Sequence, residues 1–156
     1  MTPIEYMREA IALSESGMKK GCGGPFGAVI VKDEQVIGRG ENQVTSCSDP
    51  TAHAEIVAIR AACKHLKSFS LKGATMYSSC EPCPMCLAAL YWARIDKIYY
   101  AATHEDAAKI KFDDSWIYKE VSKPIFERKL PMEELLRSEA QLVFDEWLMK
   151  QDKTHY

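Results

Sequence analysis

With 156 residues, 47% of them hydrophobic, the chain suits one globular domain that buries roughly 70% of its unfolded surface, and there is no room for two ordinary domains. Lys and Arg number 20 against 22 Asp and Glu, a formal charge of −2, so no excess of positive charge is available to grip a polyanion and tight nucleic-acid binding is disfavoured. Apolar stretches such as residues 88–93 fall far short of the ~20 residues that cross a bilayer, and the amino terminus has no basic-then-apolar signal, which reads as a soluble, cytoplasmic protein with no membrane partner.

Thr2-Pro3-Ile4-Glu5 opens a helix: Thr2 caps, Pro3 sits where no amide donor is needed, and Glu5 reaches back to the cap. That helix is expected to end near Gly17 to Gly21. Gly23 to Gly27 reads as loop, Ala28 to Val31 as a β-branched strand, residues 32–35 as a hairpin turn, and Val36 opens a return strand ending around Asn42. Residues 46–50 form a polar, turn-rich loop. From Thr51, apolar Ile56, Ile59, Cys63 and Leu66 recur at helical spacing to about His65. A strand over Ala74 to Ser78, a helix over Pro84 to Arg94 and a strand over Lys97 to Ala102 complete an alternation that predicts an α/β sheet with a parallel section. Functional groups should then gather at strand carboxyl ends and helix amino ends. Thr103 to Lys123 has no clean period and is expected to be a long irregular excursion, and a last helix over Ser138 to Lys150 places Leu142, Val143 and Trp147 on one face that closes the domain.

The chemistry concentrates in two short stretches, His53-Ala54-Glu55 and Pro82-Cys83-Pro84-Met85-Cys86, with 30 residues between His53 and Cys83. Each is expected in the first turn of a helix. Two such amino termini side by side on a sheet bring an imidazole and two thiolates around one ion; His and Cys are the ligands Zn2+ prefers, and three protein ligands leave a fourth position for water. Partial positive charge at the helix ends favours deprotonated thiols. Glu55 lies two positions beyond His53, about 200° around a helix, so it is excluded from the same ion and is left free to carry protons.

Two other readings of these residues stand beside the open catalytic site. Cys80 precedes Cys83 by the spacing that separates Cys83 from Cys86, and as a fourth ligand it would make a closed structural zinc site in a zinc-stabilised interaction module, although this leaves Glu55 unexplained. An iron–sulfur cluster would need a further Cys and Pro that residues 87–90 do not supply. His65, His104 and His155 have no partner spacing and read as solvent-facing or satisfied polar groups. Cys22, Cys47 and Cys63 read as buried or partly exposed small side chains, and the Gly21 to Gly24 run as a turn.

His-x-Glu followed by Pro-Cys-x-x-Cys resembles the signature of the zinc-dependent cytidine/deoxycytidylate deaminase superfamily, and with Pro25-Phe26-Gly27-Ala28-Val29 the likeness covers the first two-thirds of the chain. The resemblance implies a three-layer α/β/α fold with a five-stranded mixed sheet, one Zn2+ per subunit on His53, Cys83 and Cys86, and Glu55 as catalytic proton shuttle. Residues 101–108 and Phe112-Asp113-Asp114-Ser115-Trp116-Ile117-Tyr118-Lys119-Glu120 are similar to the bacterial guanine deaminase branch, which converts guanine to xanthine and ammonia in purine catabolism and salvage. Carried over, the pattern puts Phe26 on the purine face, Asn42 and the Ala54 N–H on its polar edges, Asp114 as a catalytic acceptor from amino or ring N–H groups, and Trp92 with a partner's Tyr156 along the pocket. An aromatic ring stacks on a planar base, and a carboxylate accepts from guanine's donors. The branch also implies a homodimer that exchanges its C-terminal segments, here about residues 132–156 of a single 1–156 domain.

The alternatives within the enzyme class are a tRNA adenosine deaminase, which the −2 balance and acidic Glu105, Asp106, Asp113 and Asp114 oppose, and a cytidine or deoxycytidylate deaminase, for which the nucleotide would need a cationic pocket that no Lys or Arg pattern reveals.

Overall fold

A computed structural model describes residues 1–156, and the chain divides into two compact units, 1–115 and 116–156. The first unit is a three-layer α/β/α sandwich. Helix α1 (Pro3–Lys19) starts with the anticipated capping box, Thr2 accepting from the Glu5 amide while the Glu5 carboxylate accepts from the Thr2 amide at 2.6 Å. Strands β1 (Gly27–Lys32) and β2 (Gln35–Glu41) pair antiparallel through a two-residue turn in which Asp33 and Glu34 both take positive φ, the geometry that matches the twist of a hairpin.

The connection that sequence assigned to loop contains one short helical turn, α2 (Val44–Cys47), before helix α3 (Ala54–Leu66). Strand β3 (Thr75–Cys80) then pairs antiparallel with β1, and after helix α4 (Pro84–Trp92) strand β4 (Lys97–Ala102) pairs parallel with β3. The order is β2-β1-β3-β4.

Alternation along β1 divides the core. Ala28 and Ile30 pack with Ala54, Ala58 and Ala62 of α3 and with Met76 and Leu90, while Val29 and Val31 face Tyr6 and Ala10 of α1 and Tyr77. The α3 side admits very close backbone approach, because Gly40 on β2 faces α3 so tightly that a Cβ there would lie 2.0 Å from the Ala54 carbonyl oxygen.

The sheet has four strands, not the five that the family likeness implied. Beyond β4 the chain turns helical: Thr103 and Asp106 form a capping box that starts α5 (His104–Lys109), and α6 (Ser115–Val121) follows. The stretch expected to be irregular is thus largely helical, because a local cap started a turn that no apolar period signalled. β4 is left as the last strand of the sheet, with Tyr99 and Tyr100 partly exposed.

The second unit contains a 3-10 turn at Ile125–Glu127 and helix α7 (Arg137–Met149). Arg128 ties its irregular part together by donating to the carbonyls of Lys123 and Val121 at 3.1 and 3.3 Å, and Glu120 accepts from the Lys129 amide at 2.7 Å. Leu142, Val143 and Trp147 stay exposed rather than closing a core, and no residue of 116–156 is buried. No helix is long and apolar enough to cross a membrane.

Candidate active site

The loop before α3 is set by Asp49, whose carboxylate accepts from the Thr51 amide and hydroxyl at 2.8 and 2.7 Å. This turn delivers His53 in extended conformation as the N-cap of α3, one residue before the helix rather than inside its first turn. Cys83 is likewise the N-cap of α4, with Pro84 at the first helical position and Cys86 in the first turn. Both helices follow from the β-strands of one sheet, so the two amino termini converge. His53 Nδ1 lies 3.5 Å from Cys83 Sγ and 3.5 Å from Cys86 Sγ.

These distances test whether the residues suit a metal. For Zn–N of about 2.0 Å and Zn–S of about 2.3 Å at the tetrahedral angle, nitrogen and sulfur stand about 3.5 Å apart. The three ligand atoms all lie within 4.8 Å of one another, so the donor set and its spacing both fit one tetrahedral zinc with an open fourth position. The thiols are polarised for the task. Cys83 is lowered to about 4, first because the Cys86 thiol hydrogen-bonds to it and then because His53 does, while Cys86, the donor of that pair, is pushed up. The hydrogen bond to Cys83, and then its charge, raises His53 in turn.

Cys80 stands outside this group. Its Sγ is directed to the Thr103 carbonyl at 3.8 Å, away from the three grouped ligand atoms, and burial pushes its thiol up to about 11; the closed four-ligand reading loses its fourth ligand on this placement. Cys47 is exposed, and Cys22 and Cys63 are half-buried.

Glu55 follows His53 at the second position of α3 and is 6% exposed. The Ser78 hydroxyl, from the middle of β3, donates to Glu55 Oε1 at 3.2 Å. Burial raises the Glu55 carboxyl above the ordinary carboxylate range, which suits a group that must take up a proton and release it again.

Around this centre, Phe26 packs edge-on against Phe112 with ring centroids 5.1 Å apart. Asn42 is buried beside Gly23, and its Oδ1 accepts from the Val44 amide at 3.1 Å, so recognition through Asn42 rests on its amino group. Ala54 is fully buried, and as the first residue of α3 its amide has no intrahelical acceptor. Burial raises both the Asp114 carboxyl and the Cys80 thiol, and for Cys80 the charges of Glu55 and then of Asp114 add to it. Trp92 ends α4, away from Cys83 and Cys86, and is 64% exposed; Tyr156 is 75% exposed in the second unit. A cavity of about 330 Å³ walled by Pro25, Phe26, Ser79, Cys80, Ala102 and Ala107 touches none of the zinc-binding residues or Glu55.

His104, which has no partner spacing in the sequence, meets two carboxylates in the fold. Its Nε2 lies 2.7 Å from Glu81 Oε2 and its Nδ1 lies 3.1 Å from Asp114 Oδ1. The signal that finds it is the parallel β3–β4 register, which sets Cys80 opposite Ala102 and so brings Glu81 and His104, just beyond the two strand ends, together.

The profile of the cytidine and deoxycytidylate deaminase zinc-binding region matches residues 2–102, the span that carries all three ligands and Glu55. The chain belongs to this deaminase family. The family's region is a zinc-binding one, and His53, Cys83 and Cys86 form a group that could hold the ion. Within the family, the chain is 50% identical to a guanine deaminase of Bacillus subtilis over 97% of each chain. It superposes on the crystal structure of that enzyme with a TM-score of 0.97 at 49% identity, covering 100% of this chain and 99% of the other. A tRNA-specific adenosine deaminase of Bacillus subtilis is 40% identical over 62% of this chain and 60% of its own, and a structure of guanine deaminase from Nitrosomonas europaea gives a TM-score of 0.68 at 28% identity over 72% and 65%.

Proposed function

We propose that the protein hydrolyses guanine to xanthine and ammonia. The observation that carries this is the likeness to a guanine deaminase over 97% of the chain in sequence and 100% in structure, whereas the tRNA-deaminase likeness covers 50–72% of it in sequence and 82% in structure. The −2 charge supports the same choice, since a tRNA substrate calls for a basic face.

Zinc held by His53, Cys83 and Cys86 supplies a water nucleophile activated at neutral pH. Phe26 stacks on the purine, and the Asn42 amino group and Ala54 N–H bind its acceptor edges. Asp114 accepts from the amino or ring N–H groups, which selects guanine over bases that lack those donors. Glu55 takes one proton of the water whose oxygen bonds to C2 and passes it to the adjacent ring nitrogen; it then takes the proton of the new C2 hydroxyl and delivers it to the exocyclic amine, so that the C2–N bond breaks, ammonia departs and the C2 carbonyl of xanthine forms. Ser78 holds Glu55 through both transfers.

The working form in this reading is a cytoplasmic homodimer that exchanges its C-terminal segments, about residues 132–156. Large apolar side chains there, Leu135, Phe144, Leu148 and Met149 among them, are 69–84% exposed and call for a covering surface, which a second copy provides. Trp92 and the exchanged Tyr156 line the pocket from that assembly. A dimer mass by light scattering supports the exchange and a monomer at micromolar concentration excludes it.

The substrate is tested by ammonia release from the zinc-loaded protein offered guanine, guanosine, adenine, cytosine, cytidine, deoxycytidylate and a tRNA anticodon stem in parallel. Turnover of guanine alone is expected. Turnover of the tRNA stem or of a cytosine derivative in preference to guanine overturns the assignment.

A further inference from the structure

His104 stands between two carboxylates on a scaffold that leaves it little freedom. The Glu81 amide donates to the Ala102 carbonyl at 2.8 Å, extending the parallel β3–β4 pairing by one bond and fixing Glu81 beside the end of β4. One residue beyond that end, Thr103 caps α5, accepting from the Asp106 amide while its own amide donates to Asp106 at 2.9 Å. His104 is therefore the first residue of a helix seated on the strand end. Its ring meets Glu81 through Nε2 at 2.7 Å and Asp114 through Nδ1 at 3.1 Å. His104 Nδ1 and Asp114 Oδ1 are both buried and face each other as a close contact of an ion pair, outside hydrogen-bond geometry, so the pairing is one of charge and proximity.

Asp114 sits in a loop between α5 and α6, an element that by itself fixes a carboxylate poorly. A carboxylate that reads purine N–H groups must be held to within a fraction of an ångström, and an imidazole locked on its far side by a second carboxylate does this. We propose that His104, braced by Glu81, is the positioning residue of Asp114: it engages Oδ1 and leaves Oδ2 to the guanine N–H groups. His104 touches neither substrate nor metal. The inference rests on the assignment of Asp114 to substrate recognition made above.

Four variants test it on the zinc-loaded protein with guanine: H104A, H104N, D114A and the double variant H104A/D114A. The Asn side chain keeps an N–H near the position of Nδ1, so it keeps a donor facing Asp114 while giving up the contact with Glu81. The proposal expects one zinc per chain and a folded melting transition in all four. It expects kcat/KM to fall about tenfold in H104A, to recover to within about threefold of the parent in H104N, and to be no lower in the double variant than in D114A alone. The recovery in H104N and the absence of further loss in the double variant are readouts that a merely structural His104 does not produce. Full activity in H104A, equal losses in H104A and H104N, or multiplied losses in the double variant overturn the role of His104 while leaving Asp114 in recognition. Parental activity in D114A overturns the assignment of Asp114, and the inference with it.

Discussion

The Ser78 hydroxyl donates to Glu55 Oε1 at 3.2 Å, tying the Glu55 carboxylate on α3 to strand β3 as well as to its own helix. Both groups are buried, so the bond is shielded from water and its loss leaves a buried carboxylate short of a donor. S78A is expected to lower kcat about three- to tenfold with little change in KM and unchanged zinc content, measured by steady-state ammonia release and metal analysis. An unaltered kcat contradicts the role given to this bond.

Cys80 separates the open site from a closed one. Because its Sγ faces the Thr103 carbonyl and lies outside the His53, Cys83 and Cys86 group, C80S is expected to keep one zinc per chain and to turn over within about threefold of the parent. C83S, by contrast, should lose most of its zinc. Loss of metal in C80S to the same degree as in C83S contradicts the three-ligand site.

Gly40 carries the seat of α3. A Cβ at this position would lie 2.0 Å from the Ala54 carbonyl oxygen and 2.7 Å from the Ala58 amide nitrogen, both backbone atoms, so the first turn of α3 must move with it. G40A should cost about 1–3 kcal/mol of stability and weaken zinc binding, since His53 caps the same turn. Chemical denaturation and a zinc titration check the two effects together.

The cap that seats His104 has a sign that pH reveals. Asp106 is held below its ordinary 3.8, first by the Thr103 amide and then by the Thr103 hydroxyl, so the folded state binds its proton more weakly than the unfolded chain does. Its contribution is fully present above 3.8 and is lost as pH falls through the lower folded value. D106N cannot titrate, so the gap in melting temperature between parent and D106N should be constant from pH 7 to 5 and should narrow as the pH is lowered below 4. A gap that widens on acidification contradicts the cap.

The metal centre was legible in the sequence because each half of it is a short-range pattern: His53 and Glu55 two residues apart, Cys83 and Cys86 one helical turn apart. The strands over 28–31, 36–41 and 97–102 were legible for a similar reason, being short β-branched or aromatic runs between turns. What escaped depends on contacts distant in sequence. His104 gains its partners only once β3 and β4 pair in parallel, a register that neither strand specifies alone. The helices after β4 escaped because α5 is six residues long, too short to show an apolar period, and is started by the Thr103–Asp106 cap. The placement of His53 one residue outside α3 follows from the Asp49 turn, whereas periodicity locates a helix end only to within a residue or two.

The central claim is that His53, Cys83 and Cys86 hold a catalytic zinc and that Glu55 moves the protons. Replacing Glu55 by Gln and measuring zinc content alongside guanine turnover tests it most directly, because Gln keeps the size of the side chain and its acceptor for Ser78 but cannot carry a proton. The account predicts one zinc per chain, an unchanged fold and a loss of turnover of at least about 100-fold. Full turnover by E55Q with zinc in place would contradict it.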